Sequence, residues 1–217
     1  MLYLPLMVVL FHAPAAHSLF MQDWFRHMAP ILDFFFMLSG FVMALGFRDR
    51  IVASYCIGTR RLYDFVHENP IVDLEPVDWV NDPRIIGSQP DFVSINATTE
   101  IDLMGQCASE TIGGRLWSGS GGQADFARGA MYSPGGQGFI ACRSTAAGGT
   151  VSRIVGRLAP GSIVTTVKNT VDTIVTEHGV AELRGRSVRE RATALIAVAE
   201  PEFRDRLAAD ARELGYL

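Results

Sequence analysis

The sequence predicts an α/β fold: a parallel or mixed sheet with helices on both faces over residues 51–217, preceded by an apolar helical segment over residues 1–50. Three observations lead there. From Ile51 onward, short apolar runs that read as strands alternate with stretches that read as helices, as in a sheet covered by helices. Hydrophobic residues make up 48% of the 217, with 21 glycines, which suits a globular α/β protein. Composition also shifts sharply near Arg50, away from a stretch dominated by Phe, Met, Leu and Ala, so two unlike segments share one chain.

The elements come in order. Ile51 to Ile57 is apolar and rich in β-branched residues and reads as a strand. Gly58 and a helix from about Thr59 to His67 come next, ended by Glu68, Asn69 and Pro70. Asp91 to Asn96 and Thr99 to Leu103 read as short strands. Gly138 to Ser144 and Ser162 to Thr166 read as buried strands, and Thr173 to Val175 as a weaker one. Ser187 is placed to cap a helix running to about Ala199, with Glu190 three residues on completing a capping box. Pro201 breaks the pattern, and Glu202 to Leu214 forms a last amphipathic helix.

Charge and cysteine usage exclude several classes. A net charge of −4 and a pI near 5.7 leave no electrostatic footprint for nucleic acid. Cys56, Cys107 and Cys142 are widely spaced with no C-x-x-C, so neither a zinc site nor a disulfide framework is indicated, and no metal is expected. They read as buried thiols in a reducing compartment, which makes a cytoplasmic location the expectation.

Residues 1–50 hold two apolar runs, Met1 to Phe11 and Pro30 to Phe47. Both fall short of the ~20 residues that span a bilayer, the second only narrowly and despite Asp33. A secretory signal fits poorly, since no basic stretch precedes the first run and no small-residue cleavage site is clear. Arg48 and Arg50 favour a cytoplasmic end after the second run. V-V-L-F-H (Val8 to His12) and D-F-F-F-M-L-S-G-F (Asp33 to Phe41) resemble the start of the membrane-bound acyltransferases that O-acylate sugars. The resemblance implies a general-base role for His12, but the position of that family's upstream arginine is Met1 here. The segment therefore reads as an acyltransferase-like remnant that offers a route to membrane association.

The stretch W-S-G-S-G-G-Q-A-D-F-A-R-G-A, Trp117 to Ala130, joins a glycine-rich turn to Gln123, Asp125 and Arg128. Gly119, Gly121 and Gly122 leave the backbone bare, so main-chain N–H groups can approach a ligand oxygen. A plain tight turn is the alternative.

Several ordered motifs accompany that loop. They are G-T-R-R-L-Y-D-F (Gly58 to Phe65), P-V-D-W-V-N-D-P (Pro76 to Pro83), S-I-N-A-T-T-E-I-D-L-M-G-Q (Ser94 to Gln106), S-T-A-A-G-G-T-V-S-R-I-V (Ser144 to Val155) and V-T-E-H-G-V-A-E-L-R-G (Val175 to Gly185). Together they resemble the C-terminal domain of the acetyl-CoA hydrolase/transferase family, which includes the 4-hydroxybutyrate and acetate CoA-transferases. The resemblance implies transfer of CoA between carboxylic acids, with an acyl-CoA thioester and small carboxylates as substrates and no bound cofactor. In that chemistry a glutamate attacks the thioester, and N–H donors stabilise the developing oxyanion.

By resemblance Gly122 matches the oxyanion-hole glycine, Asn81 an active-site asparagine and Glu177 a second active-site glutamate. Gly119, Gly121 and Gln123 would line the CoA side, with Gln123 holding the loop as its alternative, and Arg153 would meet a CoA phosphate. Each keeps a plainer alternative. For Asn81 it is an Asx-turn before Pro83; for Glu177, a solvent-facing carboxylate; for Arg153, hydrogen bonds that only fix its loop. Asp125 and Arg128 would either meet the pantetheine arm or pair to shape the loop, and His178 reads as structural.

The family's nucleophilic glutamate lies upstream of the strand that begins here at Ile51, and no glutamate precedes Glu68. The expectation is a CoA-transferase domain inactive alone, in a chain that joins an acyltransferase-like start to the tail of a CoA-transferase near Arg50. A CoA-binding or interaction module that pairs with a separately encoded N-terminal half, or forms a homo-oligomer, is the alternative. An apolar patch near the glycine-rich loop is expected in either case.

Overall fold

The computed structural model describes residues 50–217. Residues 1–49, with His12 and both apolar runs, lie outside the described residues, as do the expectations of a helical segment and membrane attachment there. Among the described residues no helix is long and apolar enough to cross a membrane.

Strand β1 (Ile51–Ala53), helix α1 (Arg60–Val66) and strand β2 (Val72–Leu74) come first, with β1 and β2 paired in parallel. The strand expected to reach Ile57 stops at Ala53, which pairs with Leu74, the last residue of β2. A strand lasts only as long as a neighbour bonds its backbone. Helices α2 (Val77–Val80) and α3 (Pro83–Gly87) precede β3 (Val93–Ala97), β4 (Glu100–Asp102) and β5 (Cys107–Ala108). A small hairpin of β6 (Thr111–Ile112) and β7 (Arg115–Leu116) leads through the glycine-rich loop into α4 (Gln123–Tyr132). Then come β8 (Gln137–Ala141), β9 (Thr145–Ala146), β10 (Val151–Ser152) and β11 (Ile154–Val155). Strands β12 (Thr173–Thr176) and β13 (Gly179–Glu182) form a tight hairpin before helices α5 (Val188–Ala197) and α6 (Pro201–Glu213).

The main sheet is mixed, as expected. Its order is β13-β12-β8-β3, with β3, β8 and β12 parallel and β13 antiparallel at one edge. Beside it lies a three-stranded sheet of order β11-β4-β5. Burial across the main sheet is uneven. The row Asn96, Ile140, Ile174 and Ala181 is buried across all four strands. The alternate row Ala97, Ala141, Val175 and Val180 runs from half-buried to 60% exposed at Val180. An antiparallel edge tolerates one wet face.

The core joins both sheets to the C-terminal helices. Ile101, Leu103, Ile154, Ile174, Leu183 and Leu195 have no exposed surface, and Ala192, Leu207 and Ala211 close the cluster from α5 and α6. A second cluster of Ile86, Phe92 and Ala130, with Phe126 against it, seats α3 and α4, and the Phe92 and Phe126 rings stack with centroids 6.2 Å apart. Gly129 makes that seat possible, because a β-carbon there would run into the Ile86 side chain.

Two local rules read from sequence hold. The Ser187 hydroxyl accepts from the Glu190 N–H, and the Glu190 carboxylate accepts from the Ser187 N–H at 2.7 Å, a reciprocal capping box. The D-L-M-G-Q run is a turn in which Asp102 Oδ1 accepts from the N–H groups of Met104 and Gln106. Gly105 takes φ +85° there, beside a buried Arg191 guanidinium that donates to the carbonyls of Met104 and Lys168.

One expectation is corrected. Ser162 to Thr166 is not a strand: Ile163 and Val164 face solvent, and the segment's β-type pairing is a bridge between Thr166 and Cys107. The break expected at Pro201 lies at residues 198–200, and Pro201 takes the first position of α6, where its missing N–H costs nothing.

Candidate active site

The glycine-rich loop is anchored at its start by the Trp117 and Ser118 N–H groups, which donate to the Glu110 carbonyl at 2.7 and 3.2 Å. Gly119 and Gly121 face open space, and Gly121 takes φ +56°, where a side chain would be strained. Gly122 caps the N-terminus of α4 with no side-chain cap bond. The first turn of a ten-residue helix therefore presents N–H groups that the helix itself leaves unpaired, with the positive end of its dipole behind them.

Gly122 meets Asn81. A β-carbon at Gly122 would lie 2.7 Å from Asn81 Nδ2 and 3.0 Å from the Phe126 ring, so this close approach requires glycine. Asn81 ends α2, and its side chain lies against Gly122 at the start of α4, beside the Asp125 carboxyl of the first turn. Burial pushes the Asp125 carboxyl above the ordinary carboxylate value, against the Arg128 charge and the Asn81 side chain; the nearby Asp82 charge adds to the rise. The turn before Pro83 is made by Asp82 rather than Asn81. Asp82 Oδ1 accepts from the Arg84 N–H at 2.8 Å, which leaves the Asn81 side chain to α4. Asp125 and Arg128 lie on this helix, not in the loop.

Gln123, the first helical residue, is buried, and its amide donates to Thr166 Oγ1 at 2.9 Å. Thr166 is bonded in turn to the Cys107 main chain, so Gln123 moors the loop to the smaller sheet.

Glu177 occupies the turn between β12 and β13 beside His178. Its Oε2 accepts from the Ser144 N–H at 2.8 Å and its Oε1 from the Ser144 hydroxyl at 3.0 Å. Desolvation pushes the Glu177 carboxyl up. Its own N–H, the two Ser144 donors and the His178 charge outweigh that and hold it below the ordinary value. Glu200 Oε2 lies 3.2 Å from the same hydroxyl and 3.0 Å from His178 Nε2. Glu177, His178 and Glu200 offer ligand-type atoms within 4.8 Å of one another, but Ser144 and His178 already engage both carboxylates, so the corner reads as a hydrogen-bond network.

Arg153 joins this corner through its main chain, donating its N–H to the Ser144 carbonyl at 2.8 Å. Its guanidinium donates to the carbonyls of Thr99 and Thr145, the loop-fixing arrangement. Next to it burial drives the Cys142 thiol up to about 11, with the Arg153 charge lowering it and the Glu177 charge raising it.

The structure thus gathers Gly122, Asn81 and Asp125 at one corner, and Glu177, Ser144, His178 and Glu200, with Arg153 behind them, at another. Ser144 and Glu200 carry no signal in the linear order that marks them as partners of Glu177. They are 56 residues apart and meet only in the fold.

Residues 58–211 match the family described as the acetyl-CoA hydrolase/transferase C-terminal domain. A succinyl-CoA:cyclohexane-1-carboxylate CoA transferase of Geobacter metallireducens is 55% identical over 77% of this chain and 38% of its own length. A 4-hydroxybutyrate coenzyme A transferase of Clostridium kluyveri is 51% identical over 73% of this chain and 37% of its own. The crystal structure of RipA from Yersinia pestis superposes with a TM-score of 0.74 at 45% identity, over 78% of this chain and 38% of RipA. The chain therefore spans well under half the length of these relatives. The matches give no support to a likeness between residues 1–50 and membrane-bound acyltransferases.

Proposed function

Because the chain belongs to the acetyl-CoA hydrolase/transferase family, through the C-terminal domain at residues 58–211, we propose that it forms one wall of a CoA-transfer site. The observation that carries this reading is the close approach of Gly122 to Asn81 at the uncapped start of α4. N–H groups there suit the oxyanion of a tetrahedral thioester intermediate, and Asn81 suits the orientation of a carboxylate beside it. Glu177, charged and held from two sides by Ser144, is the second carboxylate of the wall. Gly119 and Gly121 leave room for the pantetheine arm, and Gln123 supports the loop from beneath. Arg153, with its guanidinium engaged by two carbonyls, acts on the loop rather than on a CoA phosphate.

The attacking glutamate, in this reading, comes from a part of the relatives' length that the chain does not match. The substrates are an acyl-CoA and a small carboxylate acceptor. Transfer is measured with acetyl-CoA and butyrate or 4-hydroxybutyrate, for the chain alone and mixed with the non-matching N-terminal part of a relative. Activity in the mixture only is the expected result. Turnover by the chain alone contradicts the expected inactivity, and no CoA binding by calorimetry at millimolar ligand removes the pocket reading altogether.

A second reading, an interaction module, is favoured by the hairpin beside the loop. Ile112, Leu116 and Trp117 expose 52%, 72% and 49% of their surfaces next to Gly119, an apolar patch of the kind that partner subunits cover. A homo-oligomer or a separately encoded half are its two forms. Light scattering of the chain alone and with that half separates them.

A further inference from the structure

We infer that Ser144 and Glu200 are positioning residues for Glu177: one buried hydroxyl, shared between two carboxylates and released by His178, sets how firmly Glu177 is held. This rests on the reading of Glu177 as a pocket carboxylate.

Proton counting leads to it. Ser144 is fully buried, and its hydroxyl has a single proton. Carboxylate oxygens stand on two sides of it, Glu177 Oε1 at 3.0 Å and Glu200 Oε2 at 3.2 Å. Only one of them can receive that proton. The choice falls to His178, because its Nε2 lies 3.0 Å from the same Glu200 oxygen. A ring protonated at Nε2 satisfies Glu200 and leaves the Ser144 proton to Glu177. Glu177 is then gripped at both oxygens by one residue, by the N–H at Oε2 and by the O–H at Oε1. Without that donor, Glu200 competes for the hydroxyl and Glu177 keeps a single bond from Ser144.

The geometry around the turn makes the grip specific. The His178 N–H donates to Thr176 Oγ1 at 3.1 Å, and the Thr176 hydroxyl donates to the Val198 carbonyl at 2.6 Å. The turn is therefore tied to the α5–α6 junction twice, through Thr176 and Val198 and through His178 and Glu200. Cys142, beyond the end of β8, also faces Glu177, with Arg153 beside it. Burial keeps that thiol neutral, so it does not compete for the Ser144 proton near neutral pH.

The test tracks the Glu177 side-chain carboxyl by carbon-13 NMR through a pH titration of the full chain. Ser144→Ala is expected to raise its midpoint by about one unit, and Glu200→Gln to lower it by about half a unit. The deciding comparison is Glu200→Gln made again in the Ser144→Ala background. The shift shrinks there if the hydroxyl carries the coupling. An equal shift in both backgrounds means plain repulsion between two carboxylates and overturns the inference.

Ser144→Thr, which keeps the hydroxyl, is expected to restore the coupling. If Ser144→Ala does not fold, Ser144→Gly removes the same hydroxyl and takes its place in the comparison, and an equal Glu200→Gln shift in both backgrounds again overturns the inference. The readout involves no CoA, so its failure leaves the pocket reading standing, and failure of CoA binding leaves this result standing.

Discussion

Gly122 and Asn81 approach so closely that a single added methyl at Gly122 would lie 2.7 Å from the Asn81 side-chain nitrogen. Two elements distant in sequence, the end of α2 and the start of α4, are locked at that point. Gly122→Ala is expected to displace the Asn81 side chain and to press on Phe126, at a cost of about 1–2 kcal/mol of stability. Urea unfolding gives the stability change, and the Asn81 side-chain amide resonances report the displacement. An unshifted Asn81 amide pair would contradict the contact.

Arg191 predicts a larger effect. It is buried, and two carbonyls from separate loops, Met104 and Lys168, depend on its guanidinium. Arg191→Ala removes both donors and the packing of the side chain beside Gly105. A loss of about 3 kcal/mol is expected by urea denaturation. Arg191→Lys is expected to recover only part of it, since one ammonium cannot span both carbonyls as a fork does.

The capping box predicts a smaller, non-additive effect. Ser187→Ala and Glu190→Ala are each expected to lose about 1 kcal/mol. The double variant loses less than the sum, because each single change already breaks part of the same reciprocal pair. Strict additivity in chemical unfolding would show that the two residues act separately.

The pH dependence has a definite sign. Glu177 is held below the ordinary carboxylate value, its desolvation outweighed by N–H and hydroxyl donors. Glu190 is held down by the Ser187 N–H and hydroxyl, and Asp82 by Arg84. A carboxyl with a depressed folded value adds stability that is complete above its unfolded pKa and is lost as pH falls through the folded one. These contributions are therefore full near neutrality and drain away below about pH 4. Glu177→Gln is expected to flatten the acid limb of the unfolding midpoint plotted against pH. An unchanged limb would rule out the Ser144 bonds as a source of stability.

What was legible in the sequence was local or family-wide. Ser187 and Glu190 lie three residues apart on one turn, so their reciprocal bonds could be read without a fold. The ordered motifs from Gly58 onward pointed to the family that the comparisons show. Ser162 to Thr166 misled because β-branched residues mark a strand only where a neighbouring strand offers its edge, and Thr166 finds no more than one bridge to Cys107. Pro201 was legible as the boundary between two helices, because a proline cannot continue the first and can begin the second. Asn81 was ambiguous beside Asp82 until the fold gave the turn to one and α4 to the other. The pairing of Ser144 with Glu200 was invisible in the linear order.

Ser144 has a mechanical consequence. Its N–H, hydroxyl and carbonyl are committed to Glu177, to Glu177 or Glu200, and to the Arg153 N–H respectively. The residue works as a hub on which the β12–β13 turn, the entry to α6 and the β10–β11 crossing are geared together. A change at Ser144 therefore removes anchors from all three at once, although they lie far apart in the chain.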